Sequence, residues 1–354
     1  MKEVVVTEKR NVNLDLLRFL GVLIIMIAHA NPSSLFSQLR NFGTPLLIVG
    51  SSLTYAFIYK NRTIDLIPFY KKRLKRLTIP AWIFLIFFFA FFYVVTLFFE
   101  RDYPFDNATI LHTFLFYEGI GFVWILKVYM ILALITPYGL NFSKSRIKNN
   151  IYFALILLIY VIYELSNYFL SDYIPYESRK FVANTILLIF PYTALYLYGL
   201  RLDQIKTKYI ISVTIVSLVV FVAMAIYKYI NTGEFVATQY YKYPPTLYYL
   251  SYAFFWVNLI YLAISRYPII DFSKYRKVVV WLSSNSLWIY LWHILAYYLW
   301  ENLFNDYDLF GIFFIKFTFL FSFGIILTTI QLQLVNRILP TENKYLMAII
   351  PYLK

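Results

Sequence analysis

Ten apolar blocks, each close to the length that crosses a bilayer, dictate what this chain can become. They cover about residues 14–31, 43–59, 79–99, 120–138, 150–170, 181–200, 209–230, 247–265, 278–299 and 310–334. A hydrocarbon core about 30 Å thick takes roughly 20 helical residues to span. Lipid offers backbone N–H and C=O groups no water, so a spanning chain is helical or a closed barrel. A barrel shows shorter segments of alternating polarity. These blocks are long and continuous, so they predict helices. The expected fold is all-α: a polytopic integral membrane helix bundle of about ten transmembrane helices, one domain over residues 1–354. Composition agrees, with 61% hydrophobic and 14% charged residues. A soluble domain has about 45–50% apolar and about 25% charged residues.

The first block holds Asp15, Arg18 and His29 and lacks a convincing small-residue cleavage site after it. It is therefore expected to remain as a first helix rather than leave as a signal peptide. There is no cysteine, which excludes disulfides, thiolate nucleophiles and Cys-ligated metals and assigns no compartment. With the N-terminus inside, the inner segments hold 23 Lys/Arg and the outer segments 5, with 4 more inside the blocks. That bias predicts cytoplasmic termini under the positive-inside rule. The net charge of +14 thus reports topology, and no nucleic-acid partner is expected.

Ionisable side chains inside an apolar block are expensive and mark functional candidates. Arg18 and His29 are eleven residues apart, which on a helix returns to within about 20° of the same face, roughly 16 Å further along the axis. Asp15 lies three residues before Arg18, on the same side. One reading makes His29 a general base near the outer surface, since imidazole suits proton transfer near neutral pH. Arg18 then holds an anionic donor group or fixes a neighbouring helix. The other has Arg18 snorkelling to inner headgroups and His29 resting at the interface.

The run Lys71, Lys72, Arg73, Lys75, Arg76 precedes the third block, and its sequence suits an interfacial amphipathic helix that ends before Pro80 opens the span. Its cations suit the phosphates of a cytosolic donor, or anionic lipid and topology. Trp124 and Lys127 share a face in the fourth block. Glu164 is a candidate partner for Lys127, and a structural ion pair and a substrate contact are equally open. Ser286, Tyr290 and His293 form a polar stripe on the ninth block, and topology sets His293 on the same side as His29. No third His or carboxylate falls at a zinc spacing, so no metal is expected.

These residues resemble the integral-membrane acyltransferases of family 3, which O-acylate envelope glycans. The Arg–x10–His pattern appears as Arg18 and His29, with Asp15 before it. The basic motif before the third span appears as Arg73, Arg76 and Pro80, a Trp–Tyr–Pro series as Trp124, Tyr129 and Pro137, and a late Tyr–x–x–His as Tyr290 and His293. FGTPLLIVGSS resembles the family's Pro-containing segment. Asn11 and Asn13 stand where the family often has a further Arg, and Ile294 follows His293 where Pro is usual.

The resemblance implies a multi-pass plasma-membrane enzyme with both termini cytoplasmic. It would move an acyl group, acetyl by expectation, from cytoplasmic acyl-CoA to a glycan hydroxyl outside. His29 and Asp15 would be catalytic. Arg18, Lys72, Arg73 and Arg76 would bind the donor. Trp124, Lys127, Tyr290 and His293 would orient the acceptor. Expected partners are membrane lipid, acyl-CoA, the glycan and a glycan synthase or export protein, with no permanently bound cofactor. The alternative is an exporter of polysaccharide or lipid-linked glycan, which consumes no acyl-CoA.

Overall fold

The computed structural model describes residues 10–170, 173–175, 178, 181–268, 271–304, 312–338 and 350–353. Lys2, Lys9, Arg179, Lys180, Lys344 and Lys354, which entered the charge count, lie outside the described residues. Among the described residues there are helices and no strands. In chain order they are α1 (Val12–Ala28), α2 (Ser34–Leu39), α3 (Gly43–Ile58), α4 (Leu66–Phe98), α5 (Asn107–Phe114) and α6 (Trp124–Lys144). Then come α7 (Asn149–Leu170), α8 (Ile189–Leu202), α9 (Thr207–Thr232), α10 (Leu247–Tyr261), α11 (Arg276–Ser284), α12 (Ser286–Leu303) and α13 (Phe313–Ile338).

Among the described residues, seven helical stretches are long and apolar enough to cross a membrane: Ser34–Ile58, Leu66–Phe98, Trp124–Lys144, Asn149–Phe169, Thr207–Thr232, Leu247–Arg266 and Phe313–Arg337. The interrupted pair Phe272–Ser284 and Ser286–Leu303 makes an eighth if taken as one span. Two of the ten sequence blocks fall outside this count because α1 has 17 residues and α8 has 14.

The basic segment departs from expectation. It is not a separate interfacial helix, and Pro80 does not open a span. Residues Leu66–Phe98 form one helix of 33 residues with Pro80 inside it. Proline removes one rung of the helical ladder at a cost of about 3 kcal/mol or more. Close packing of the following turns offsets it. Ala81, Phe84, Leu85, Phe88 and Phe92 recur at helical spacing and are all buried. In lipid, where apolar tails surround every helix, such fitted packing is what holds helices together.

The helices group into two compact units. The first contains α1–α3, α6 from Ile135 onward and α7–α11. Its contacts rest on small residues that let backbones approach. A Cβ added to Gly21 of α1 would lie 2.7 Å from the Leu47 Cα of α3. Gly21→Val is therefore expected to lower stability by about 1–3 kcal/mol, the usual cost of overpacking. Thermal unfolding of the purified protein checks this, and an unchanged midpoint would show that α1 and α3 are not locked there. Arg201 is also structural. It is buried at 2% exposure and donates to the carbonyls of Ser143, Ser145 and Ile147 at 2.7–2.8 Å. The Ser143 carbonyl is one of the orphans at the end of α6, and the other two belong to the turn that follows.

The second unit contains His29–Asn31, α4, α5, the first part of α6, α12 and α13. Gly324 of α13 sits where a Cβ would be 2.8 Å from the Ile289 carbonyl of α12. Trp292 of α12 donates to Gln331 of α13 at 2.7 Å and meets the rings of Phe84 and Phe87 of α4 at 5.7 and 5.4 Å.

Candidate active site

Local sequence explains where His29 stands. The Asn11 side chain accepts from the backbone N–H of Asn13 at 3.0 Å and so caps the start of α1. The helix stops at Ala28, and Asn31 takes a left-handed φ of 54°. Asn is among the few residues that tolerate this conformation, and Pro32 behind it cannot continue a helix. His29 follows directly on α1, half-buried.

His293 lies inside α12 and is fully buried. Its Nε2 is 2.8 Å from Nδ1 of His29. Its other nitrogen, Nδ1, contacts the backbone carbonyl of Tyr290. This second contact fixes the tautomers. A carbonyl only accepts, so His293 Nδ1 carries the hydrogen and donates to Tyr290 O. In neutral His293 the Nε2 then accepts, and His29 Nδ1 must be the donor. The lone pair of His29 therefore sits on Nε2. The hydrogens are inferred from the bonding pattern.

Aromatic groups hold the pair. Phe122 meets the His29 ring edge-on at 4.6 Å, and Tyr297 lies 6.4 Å away. The Tyr290 hydroxyl donates to the Phe122 carbonyl at 2.8 Å. The loop carrying Phe122 is tied to α5: Thr113 Oγ1 donates to the Thr109 carbonyl at 2.6 Å and accepts from Ile120 N–H at 3.0 Å. Gly119 has φ 67°, and a Cβ there would sit 2.6 Å from the Thr113 backbone nitrogen, so this loop requires glycine. Beyond Tyr297, Lys316 pairs with Glu301 at 2.5 Å and lies 4.9 Å over the Tyr297 ring.

The remaining sequence candidates fall in several places. Asp15 is buried in the first unit, where Arg10 binds both its oxygens at 2.5 and 2.8 Å and Ser283 donates at 2.9 Å. Arg18, also in the first unit, is half-buried against Gly50 of α3. Lys72 and Arg76 are exposed on α4, and Arg73 lies 5.7 Å over the Phe69 ring. Trp124 opens α6, and Lys127 one turn later lies 5.4 Å over Tyr117 with Glu118 close enough to attract it. The suggested partner Glu164 is engaged in the first unit, accepting from Tyr160 at 2.9 Å and from Leu247 N–H at 3.1 Å.

The structure thus unites His29, Tyr290 and His293 of the sequence candidates. Sequence reasoning missed the Phe122 carbonyl and the Glu301–Lys316–Tyr297 group. It also missed Arg10, five residues before Asp15. Its signal was a cation just outside the first apolar block, five residues before the carboxylate it holds.

In the second unit, then, a buried histidine of α12 holds the imidazole that follows α1. A family model, that of the acyltransferase domain, matches residues 11–331. The protein belongs to the acyltransferase 3 family. Neither the curated proteins nor the solved structures compared with the chain gave a match.

Proposed function

We propose that the protein is a plasma-membrane O-acyltransferase that carries an acyl group, acetyl in the first instance, from cytoplasmic acyl-CoA to a hydroxyl of a cell-envelope glycan at the outer surface. The observation that carries this reading is the His29–His293 pair inside the family-matched region. His29 Nε2 takes the proton of the acceptor hydroxyl as its oxygen attacks the thioester carbonyl. The carbon–sulfur bond breaks, and the thiolate leaves and takes up the proton from His29. The products are a glycan ester and free CoA. His293 accepts from His29 Nδ1 throughout, so it steadies the imidazolium and keeps the ring turned.

The basic end of α4 supports a CoA donor. Arg76 and Arg73 lie eight and eleven residues before Phe84, which touches Trp292 beside His293. At 1.5 Å per residue that is about 12 and 16 Å of helix, a distance an extended pantetheine arm covers. Arg73→Ala and Arg76→Ala are expected to weaken acyl-CoA binding about tenfold each, since charge-assisted phosphate contacts are roughly twice as strong as neutral ones. Isothermal titration with purified protein measures this. Unchanged affinity with reduced abundance would give the cluster a purely topological role. Arg18 is a separate donor candidate in the first unit, and Asp15 acts in this proposal by anchoring the start of α1.

Mass spectrometry of the envelope glycan from cells with and without the gene tests the whole reading. A fixed mass difference per sugar supports acyl transfer and identifies the acyl group. Glycan moved across the membrane with no ester and no CoA released would favour export instead.

A further inference from the structure

The first unit holds a second concentration of buried chemistry that the acyl-transfer step does not use. Two connections meet at one end of this unit: the stretch around α2, and the segment between α9 and α10. The Gln38 side chain accepts from the Thr238 N–H at 2.9 Å, Asn41 donates to the Thr238 hydroxyl at 2.9 Å, and Tyr252 donates to the Leu39 carbonyl at 3.0 Å. Between them stand two cations, Arg40 and Lys242. They are close enough that burial first, and the charge of Arg40 second, bring Lys242 down to about 7. The Lys242 ammonium lies 5.2 Å over the Tyr243 ring. Tyr243 and Tyr249 are within electrostatic reach of Arg40, and Tyr192 is within reach of those two phenols.

Three polar groups in this cluster lack a hydrogen-bond partner among the described residues: Arg40 Nε, Tyr192 Oη and Tyr249 Oη. Tyr192 and Tyr249 are 1% and 0% exposed. An unsatisfied buried polar group costs about 1–3 kcal/mol, and two like charges in a low dielectric repel. No carboxylate among the described residues bonds to Arg40. Arg40 is only half-buried and Tyr243 is 39% exposed, so the cluster has a buried floor and an open edge. Beside it, Phe42 stacks on Trp256 at 5.4 Å.

We propose that Arg40, Lys242, Tyr192 and Tyr249 form a binding subsite for an anionic sugar unit of the glycan, with the two cations holding its carboxylate or phosphate and the two buried phenols bonding to its oxygens. A planar guanidinium suits either anion bidentately. Phenols set among aromatic rings offer a sugar both hydrogen bonds and an apolar face. In the orientation that the loop charges favour, this end of the unit faces outward, where the glycan lies. The proposal rests on the glycan-acceptor reading for its ligand class. Its test uses no acyl-CoA, so the two fail separately.

The full-length protein in phosphatidylcholine nanodiscs would be titrated with a glucuronate oligosaccharide, with glucose 1-phosphate and with a neutral glucose oligosaccharide. At least one of the two anionic sugars is expected to bind tenfold or more tighter than the neutral one. Arg40→Gln should weaken that binding at least tenfold. Tyr249→Phe should weaken it severalfold with the thermal midpoint unchanged or raised. If Arg40→Gln fails to fold, Tyr192→Phe and Tyr249→Phe decide. His112→Ala, which removes an imidazole outside both clusters, should bind the sugar normally. Equal binding of charged and neutral sugars, binding untouched by the phenol variants, or no binding of either anion would overturn the proposal. So would Arg40-dependent retention of phosphatidylglycerol in place of sugar, which would make the cluster a lipid site.

Discussion

Replacing His29 by alanine is expected to cut acyl transfer by about 10²–10⁴-fold, the usual worth of a positioned general base. Abundance and thermal midpoint should stay near those of the unaltered protein. His29 sits past the end of α1 and is half-buried, so its loss opens no large void in the packed interior. His112→Ala supplies the control. That imidazole lies in the last turn of α5 beside Tyr117, 5.7 Å between rings, and its removal should leave transfer nearly unchanged. The measurement is CoA release by purified protein together with ester formation on the glycan. A His29→Ala protein that transfers at the normal rate would remove His29 from the chemistry.

His293→Phe keeps bulk in a fully buried position but deletes the acceptor for His29 Nδ1. Turnover is expected to fall on the order of 10²-fold, less than the loss seen when a charged orienting partner is removed. KM should change little, because the lost bond steadies the transition state more than the bound ground state. His293→Gln has an amide oxygen that can accept from His29, and part of the rate should return. If both variants lose the same rate, or if KM alone moves, His293 is packing and does not position the base.

The sequence set His29 and His293 on the same expected side of the membrane, because helix phase and loop charge are both written in one dimension; their 2.8 Å contact is a finding of the structure. Each lies on a readable face, and the loop charges set both on one side. The division of labour between them was not legible, since it depends on a backbone carbonyl that any residue at position 290 would supply. Periodicity also misread Pro80. A proline near the edge of an apolar block looks like a helix start, and only the fitted aromatic packing behind it lets the helix run through. Arg40 and Arg201 entered the sequence reading as loop charges that report orientation. Their burial comes from segments distant in the chain, such as the Ser143–Ile147 carbonyls around Arg201, and no local pattern encodes that.

The uninterrupted α4 has a mechanical corollary. A helix is stiff along its axis and weakest against bending where a rung of its ladder is missing. Pro80 removes the N–H that the Arg76 carbonyl would otherwise meet. α4 is thus a strut with a single joint, its charged end on one side and its clamped aromatic end on the other. A sideways load on the charged end would bend α4 at this joint before it reached Phe84 and Phe87 on Trp292. A pull along the axis passes straight through to Trp292 and the imidazole next to it. Under the proposed acyl-CoA reading, a donor held at the charged end would act on Trp292 along the axis of α4 and not through its bending.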